Sequence, residues 1–304
     1  MNWSEFQRKQ RVAELGDSFI SYVDEGSGSP VVLLHGMPSW GYVWSSVLPL
    51  LANRFRVLIP DLAGFGYSDK RDCFDRSVGK QATVIESWMD SIGVTRAAFV
   101  GHDIGGGIAL RLATLSPGRV ERLALINSVC YDSWPGSLML TLSHPESHRR
   151  LSSRRTNLLL RRGLKKGFSQ PQEEFLAGML APYTTEIGKL SLIRNAVALN
   201  TSLTMEISAL LHHLRVPTLV ICGEDDPFHP IKYGTRLASD ISGAQLVRLQ
   251  KARHFVMLDR PEIIASCLTQ FLGPEGRVVP LPQAVPLPGS ETAIRPRFLL
   301  SEQP

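Results

Sequence analysis

Hydrophobic residues in this chain fall into short, β-rich runs separated by longer stretches of mixed polarity. Runs at 19–23, 31–34, 57–60, 97–100, 123–127, 218–222 and 246–249 are dominated by Val, Ile, Leu, Phe and Ala and bounded by turn residues, so they read as strands. Segments 41–52, 76–91, 106–115, 233–238 and 261–271 read as helices between them. Strands alternating with helices predict an α/β domain with a largely parallel sheet. About ninety residues separate the run ending at Asn127 from the one starting at Thr218. That is too long for a structureless loop in a compact domain, so the stretch must carry structure of its own. Beyond Gly273 the chain is rich in Pro and Gly and loses periodicity, which predicts an extended or disordered tail over 273–304.

Composition narrows the picture. A chain of 304 residues suffices for one large α/β core with an insertion. No apolar run approaches the length of a bilayer span, and Met1 to Arg11 is polar without a signal core, so a cytoplasmic protein is expected. The four cysteines, at 73, 130, 222 and 267, are widely spaced and make no metal-ligand pattern. No glycine-rich phosphate fingerprint is present; neither a metal nor a cofactor is expected. The formal charge is +5, and eight Lys or Arg with no acid lie between Arg149 and Lys166, leaving the remainder at −3. A solvated amphipathic helix accounts for that cluster; attraction of an anionic ligand is the sharper alternative. Nucleic acid is not an expected partner, because no aromatic residues interleave the basic cluster.

The candidate chemistry centres on Gly101-His102-Asp103-Ile104-Gly105. It follows an apolar strand-like run and precedes a run of small residues suited to a helix. Strand, sharp turn and helix at a G-x-x-x-G spacing describe a nucleophile elbow with Asp103, rather than serine, at the apex. A carboxylate is ionised at neutral pH and needs no base to activate it. It suits attack on a saturated carbon that bears a leaving group. The plain alternative is that Asp103 merely caps the following helix. Three further segments share the strand-then-loop form. Val31–Leu34 runs into His35-Gly36-Met37-Pro38, Thr218–Cys222 into Gly223-Glu224-Asp225-Asp226, and Leu246–Leu249 into a loop with His254. An acid at a strand end can orient a histidine and stabilise its imidazolium. Asp226 is preferred to Asp225 for that role.

With these residues in the order nucleophile, acid, histidine, the chain resembles the aspartate-nucleophile branch of the α/β-hydrolases, the haloalkane dehalogenases and epoxide hydrolases. The resemblance runs over roughly residues 15–272 and includes Pro60-Asp61-Leu62-Ala63-Gly64-Phe65-Gly66-Tyr67-Ser68-Asp69. It implies an α/β-hydrolase fold, with a core from 1–130 and 214–272 and a helical cap over 131–213. It implies Asp103, Asp226 and His254 as the catalytic trio and the Met37 and Ile104 backbone amides as the oxyanion hole.

The leaving-group devices of the two named activities are incomplete. The tryptophan that usually follows a dehalogenase nucleophile is Ile104 here, and a usual asparagine place holds Met37. The cap tyrosine that usually precedes an arginine in epoxide hydrolases is replaced by Ile193, before Arg194. Tyr131 and Tyr183 are expected as alternative cap proton donors, and His35, Trp40 and Trp134 as substrate contacts. The resemblance therefore implies a hydrolase that makes a covalent alkyl ester on Asp103 and cleaves it with His-activated water. Its expected substrate is an epoxide or a similar electrophilic small molecule. A haloalkane dehalogenase, an ester or lactone hydrolase, and a ligand-binding protein on a hydrolase scaffold are the alternatives.

Overall fold

The computed structural model describes residues 1–278 apart from 73, 171 and 275. Cys73 and most of the expected tail, from 279 onward, therefore lie outside the described residues. The core is one eight-stranded sheet in the order β1-β2-β4-β3-β5-β6-β7-β8. The strands are β1 (Arg11–Leu15), β2 (Ser18–Glu25), β3 (Pro30–Leu34), β4 (Arg56–Pro60), β5 (Ala97–Asp103), β6 (Val120–Ser128), β7 (Thr218–Gly223) and β8 (Gln245–Leu249). β1, β2 and β4 pair antiparallel, and every pairing from β4 to β8 is parallel. β5 and β7 are buried along their whole length, as expected of parallel strands covered on both faces.

Strand order decides where chemistry can sit. The chain passes from β3 to its neighbour β4 on one side, then crosses to β5 on the other. β3 and β5 thus flank a switch point, and the crevice beyond their carboxyl ends is where open α/β sheets bind ligands. Asp103 ends β5, and the loop through Gly36 and Met37 leaves β3.

Two expectations need correction. The segment 41–52 does not form one helix: a 3₁₀ turn at Gly41–Trp44 is followed by a single turn at Leu48–Leu51. The Gly41 N–H is taken by the Asp61 carboxylate, and Pro49 has no N–H with which to continue an α-helical ladder. β1 was not anticipated either. It is an edge strand with one buried residue, Ala13, so it leaves no apolar run to read.

Among the described residues, everything between β6 and β7 is helix, turn or loop. This segment packs against the loops at the carboxyl edge of the sheet. Ser191 and Asn195 both meet the Gly64 carbonyl and the Arg76 guanidinium, and the Gly167 carbonyl accepts the Phe255 N–H. Its basic stretch runs from the short helix Ser147–Arg150 through the helix Ser153–Leu164 into a 3₁₀ turn at Lys165–Gly167; the longer helix buries Thr156, Leu160 and Leu164, and Arg161 and Lys165 pair with Glu173. Gly276 and Val278 hydrogen-bond Gln245 on the outer edge of the sheet. Among the described residues no helix is long and apolar enough to cross a membrane.

Candidate active site

Glycines permit the turn that presents Asp103. A Cβ on Gly105 would lie 2.5 Å from the His35 and Leu34 carbonyl oxygens, and one on Gly101 would lie 2.4 Å from the Gly105 oxygen. Strand and helix backbones are therefore in contact, and the apex takes up the strain: Asp103 has φ 53° and ψ −123°. A non-glycine residue in such a conformation costs on the order of 1–3 kcal/mol and persists only where its surroundings enforce it. The Asp103 side chain makes no capping bond to the helix Ile104–Leu115. It points instead toward the loops that follow β3, β7 and β8.

The two carboxylate oxygens have different surroundings. Oδ1 accepts the Met37 N–H at 2.8 Å. Ile104 opens the helix, where the first N–H groups have no intrahelical acceptor. Oδ2 lies 2.7 Å from His229 Nε2 and 4.0 Å from His254 Nε2. Burial pushes the Asp103 carboxyl pKa up. The His229 hydrogen bond and charge, with the His254 charge, outweigh burial and hold it well below the usual carboxylate range.

His254 and Asp226 form a buried pair. His254 Nδ1 is 2.9 Å from Asp226 Oδ2, while Asp226 Oδ1 accepts the backbone N–H groups of Phe228 (2.8 Å) and His229 (3.1 Å). That is an Asx-type turn, and it fixes which oxygen faces the histidine. Burial lowers the His254 pKa, but the Asp226 charge and hydrogen bond, helped by Asp103, leave it raised above 6.5. The Asp226 carboxyl is raised by burial and lowered further by His254, for a net decrease. Phe228, Phe255, His102 and His229 surround the His254 ring at centroid distances of 4.4–5.2 Å. Asp225, by contrast, is exposed.

The structure thus brings Asp103, Asp226, His254 and the Met37 amide together. It places the other expected contacts elsewhere. His35 is wholly buried: its Nε2 accepts the Leu62 N–H at 2.9 Å, its Nδ1 faces the Gly36 oxygen, and burial lowers its pKa to about 4. It is a neutral strut between the loops after β3 and β4. Trp40 Nε1 donates to the Gly178 carbonyl and Trp134 Nε1 to Thr204 Oγ1. The Tyr131 hydroxyl donates to Asp240 and the Tyr183 hydroxyl to the Ser39 carbonyl. Burial raises both phenol pKa values, in Tyr131 with the Asp240 carboxylate adding to it. Each of these four donors already holds a protein acceptor.

Three residues escaped the sequence reading. His229 follows the acid by three positions, and the Asx turn folds it back onto Asp103; the run Asp226-Pro227-Phe228-His229 was its only trace. Asn127, at φ 41°, accepts the Gly223 N–H and donates to the carbonyls of Arg253 and His254. His102 lies 3.2 Å from the same His254 carbonyl, and burial lowers its pKa to about 3, so it is neutral. Asp103, His229 and His254 also present three ligand atoms within 4.8 Å of one another, a set that could hold a metal ion.

An eight-stranded α/β sheet, a strained apex residue at its switch point and an ordered acid–histidine pair define the class: an α/β-fold hydrolase. Residues 29–261 match the α/β hydrolase fold family model, and the chain belongs to that family. It is 30% identical over 269 residues to haloalkane dehalogenase 2 of Mycobacterium bovis, covering 84% of this chain and 91% of the relative. It is 28% identical over 272 residues to a soluble epoxide hydrolase of a Corynebacterium species, covering 83% and 93%. An α/β hydrolase fold protein from Burkholderia ambifaria superposes with a TM-score of 0.80 at 28% identity, covering 85% and 96%.

Proposed function

We propose that this hydrolase works by a covalent aspartyl ester, with 131–213 acting as its cap. Asp103 Oδ2 attacks an electrophilic carbon while Oδ1 stays on the Met37 amide. His254, oriented by Asp226, then takes a proton from water, and that water adds to the Asp103 carboxyl carbon. The Met37 and Ile104 amides hold the oxyanion, at about 3–4 kcal/mol per donor in comparable sites. Collapse expels the product oxygen, which takes the proton back from His254. The observation that carries this reading is the 4.0 Å gap between His254 Nε2 and Asp103 Oδ2. It is too long for a direct hydrogen bond and fits a base that reaches the carboxyl group through one water.

The substrate we favour is an epoxide or a similarly strained electrophile. The indoles of Trp40 and Trp134 are bonded to protein acceptors, which argues against a halide held by paired indoles. Dehalogenation remains the second reading because the dehalogenase relative covers most of both chains. His254→Gln is the test. It should leave the first step working, so that styrene oxide adds its whole mass to the intact protein and 1-bromobutane adds one butyl group with release of bromide. Normal turnover by this variant would remove His254 from the role of base.

A further inference from the structure

Resting on the covalent reading above, we propose that His229 is the acid that protonates the leaving oxygen when Asp103 opens a strained ring. Oδ1 is committed to the Met37 amide, so Oδ2 is the attacking atom. Among the described residues the one hydrogen bond to Oδ2 comes from His229 Nε2, at 2.7 Å. The ring is held in place: its backbone N–H is bound by Asp226 Oδ1, and its centroid is 5.2 Å from that of His254. The cap hydroxyls of Tyr131 and Tyr183 are both spent on protein acceptors. An imidazole at the nucleophile can do what an indole cannot, namely give a proton away completely. Alkoxides need that proton; halides do not.

The other ring nitrogen supports the assignment. His229 Nδ1 is buried and has no protein partner among the described residues. A cavity of about 10 Å³, lined by His229 with Asn127, Ser128, Cys222 and Tyr233, borders the ring, and that is the room one water needs. The charged and titratable groups facing His229 are Asp103, Asp226, His254 and, behind His254, His102, with Cys222 and Tyr233 across the cavity.

The proton balance closes without any outside reagent. In the first step the Oδ2–C bond forms, the ring C–O bond breaks, its electron pair stays on oxygen, and His229 Nε2 gives that oxygen its proton. His229 is left neutral. In the second step water adds to the carboxyl carbon and one of its protons passes to His254. The ester C–O bond at that carbon breaks, and His254 protonates the departing alkoxide. The water oxygen remains on Asp103 as a carboxyl O–H beside His229 Nε2, and this proton recharges the imidazole. Ring plus water becomes diol, and the resting carboxylate–imidazolium pair is restored.

The test uses the His254→Gln protein, in which ester formation is read alone by intact mass. His229→Gln is added to it, and styrene oxide is compared with 1-bromobutane. Glutamine keeps an N–H for Oδ2 but has no proton to transfer. Ester formation from the epoxide should slow by about 10²-fold or more, the range of general acid catalysis, while bromide displacement changes by less than about tenfold. With His229 present, the epoxide rate should also fall as pH rises; with glutamine it should be flat. Denaturant unfolding and a second variant, His229→Asn, control for misfolding. An equal loss on both probes, an unchanged epoxide rate, a loss without the pH dependence, or reaction with the bromide alone would each overturn the acid role and leave the covalent reading standing. Failure of both probes to form any ester would overturn the covalent reading, and the acid role with it.

Discussion

Replacing Asp226 by asparagine tests how the base is set. The amide cannot orient freely. Asp226 Oδ1 accepts two backbone N–H groups, from Phe228 and His229, and an NH₂ in its place would face both donors. The asparagine oxygen must keep that position, which puts the NH₂ 2.9 Å from His254 Nδ1, where Oδ2 was. Nδ1 then has to accept, and its proton moves to Nε2. The nitrogen that should take a proton from water now carries one. Reversing the tautomer in a serine-type triad costs about 10⁴ in rate, and at about 1.4 kcal/mol per tenfold that is about 5.5 kcal/mol of barrier. Alkylation of Asp103 does not need the base, so the loss should fall on hydrolysis alone. Rapid-quench intact-mass measurement on any probe that alkylates the protein should show the ester forming at near wild-type rate and then persisting. Asp225→Asn, at an exposed position, should change neither step by more than a few-fold. Turnover of Asp226→Asn within tenfold of wild type, or a larger loss in Asp225→Asn, would refute the orientation argument.

Two further outcomes follow from the same geometry. His254 must be neutral to accept a proton, and its pKa is raised above 6.5, so turnover should fall as pH drops through that raised value; Asp226→Asn removes the main cause of the raised value, so its residual activity should have an acid limb at lower pH, and an unmoved limb would detach the profile from His254. Gly36→Ala would place a Cβ 2.4 Å from Asp103 Cβ, against an ordinary carbon contact of about 3.5–4.0 Å. Overpacking of this kind costs about 1–3 kcal/mol in denaturant unfolding. Pushing the nucleophile by about 1 Å should lower turnover by about 10²-fold, a far larger effect on activity than on stability, and normal kinetics would show that the loop yields instead.

What was legible in the sequence was whatever backbone sterics and strand patterning impose locally. The elbow could be read because Gly101 and Gly105 have no room for a side chain. The order of Asp103, Asp226 and His254 could be read because each ends or follows a strand whose apolar run stands out. Hydrogen-bond commitments could not be read. Trp40 and Tyr183 look available until the fold brings Gly178 and the Ser39 carbonyl to them, from more than a hundred residues away in each case. His229 was invisible for the opposite reason: its importance depends on a turn that the Asp226 side chain organises. β1 left no signature because only Ala13 is buried along it, too little to make an apolar run.

Asn127 has a consequence for how such a site tolerates change. It is the penultimate residue of β6, immediately before the long helical insertion, and its one amide holds the start of the acid loop through Gly223 and the histidine loop through two carbonyls. Acid and base are thus mounted on a common bracket rather than on separate arms. A tilt of this strand end should therefore shift both together, changing their distance from Asp103 and keeping their mutual contact, which is 2.9 Å. With 131–213 as the cap proposed above, exchanging its helices should reshape what enters the crevice without disturbing the Asp226–His254 contact beneath. On the proposed mechanism, Asn127 is the fastener that would keep the selection of substrate and the activation of water separable.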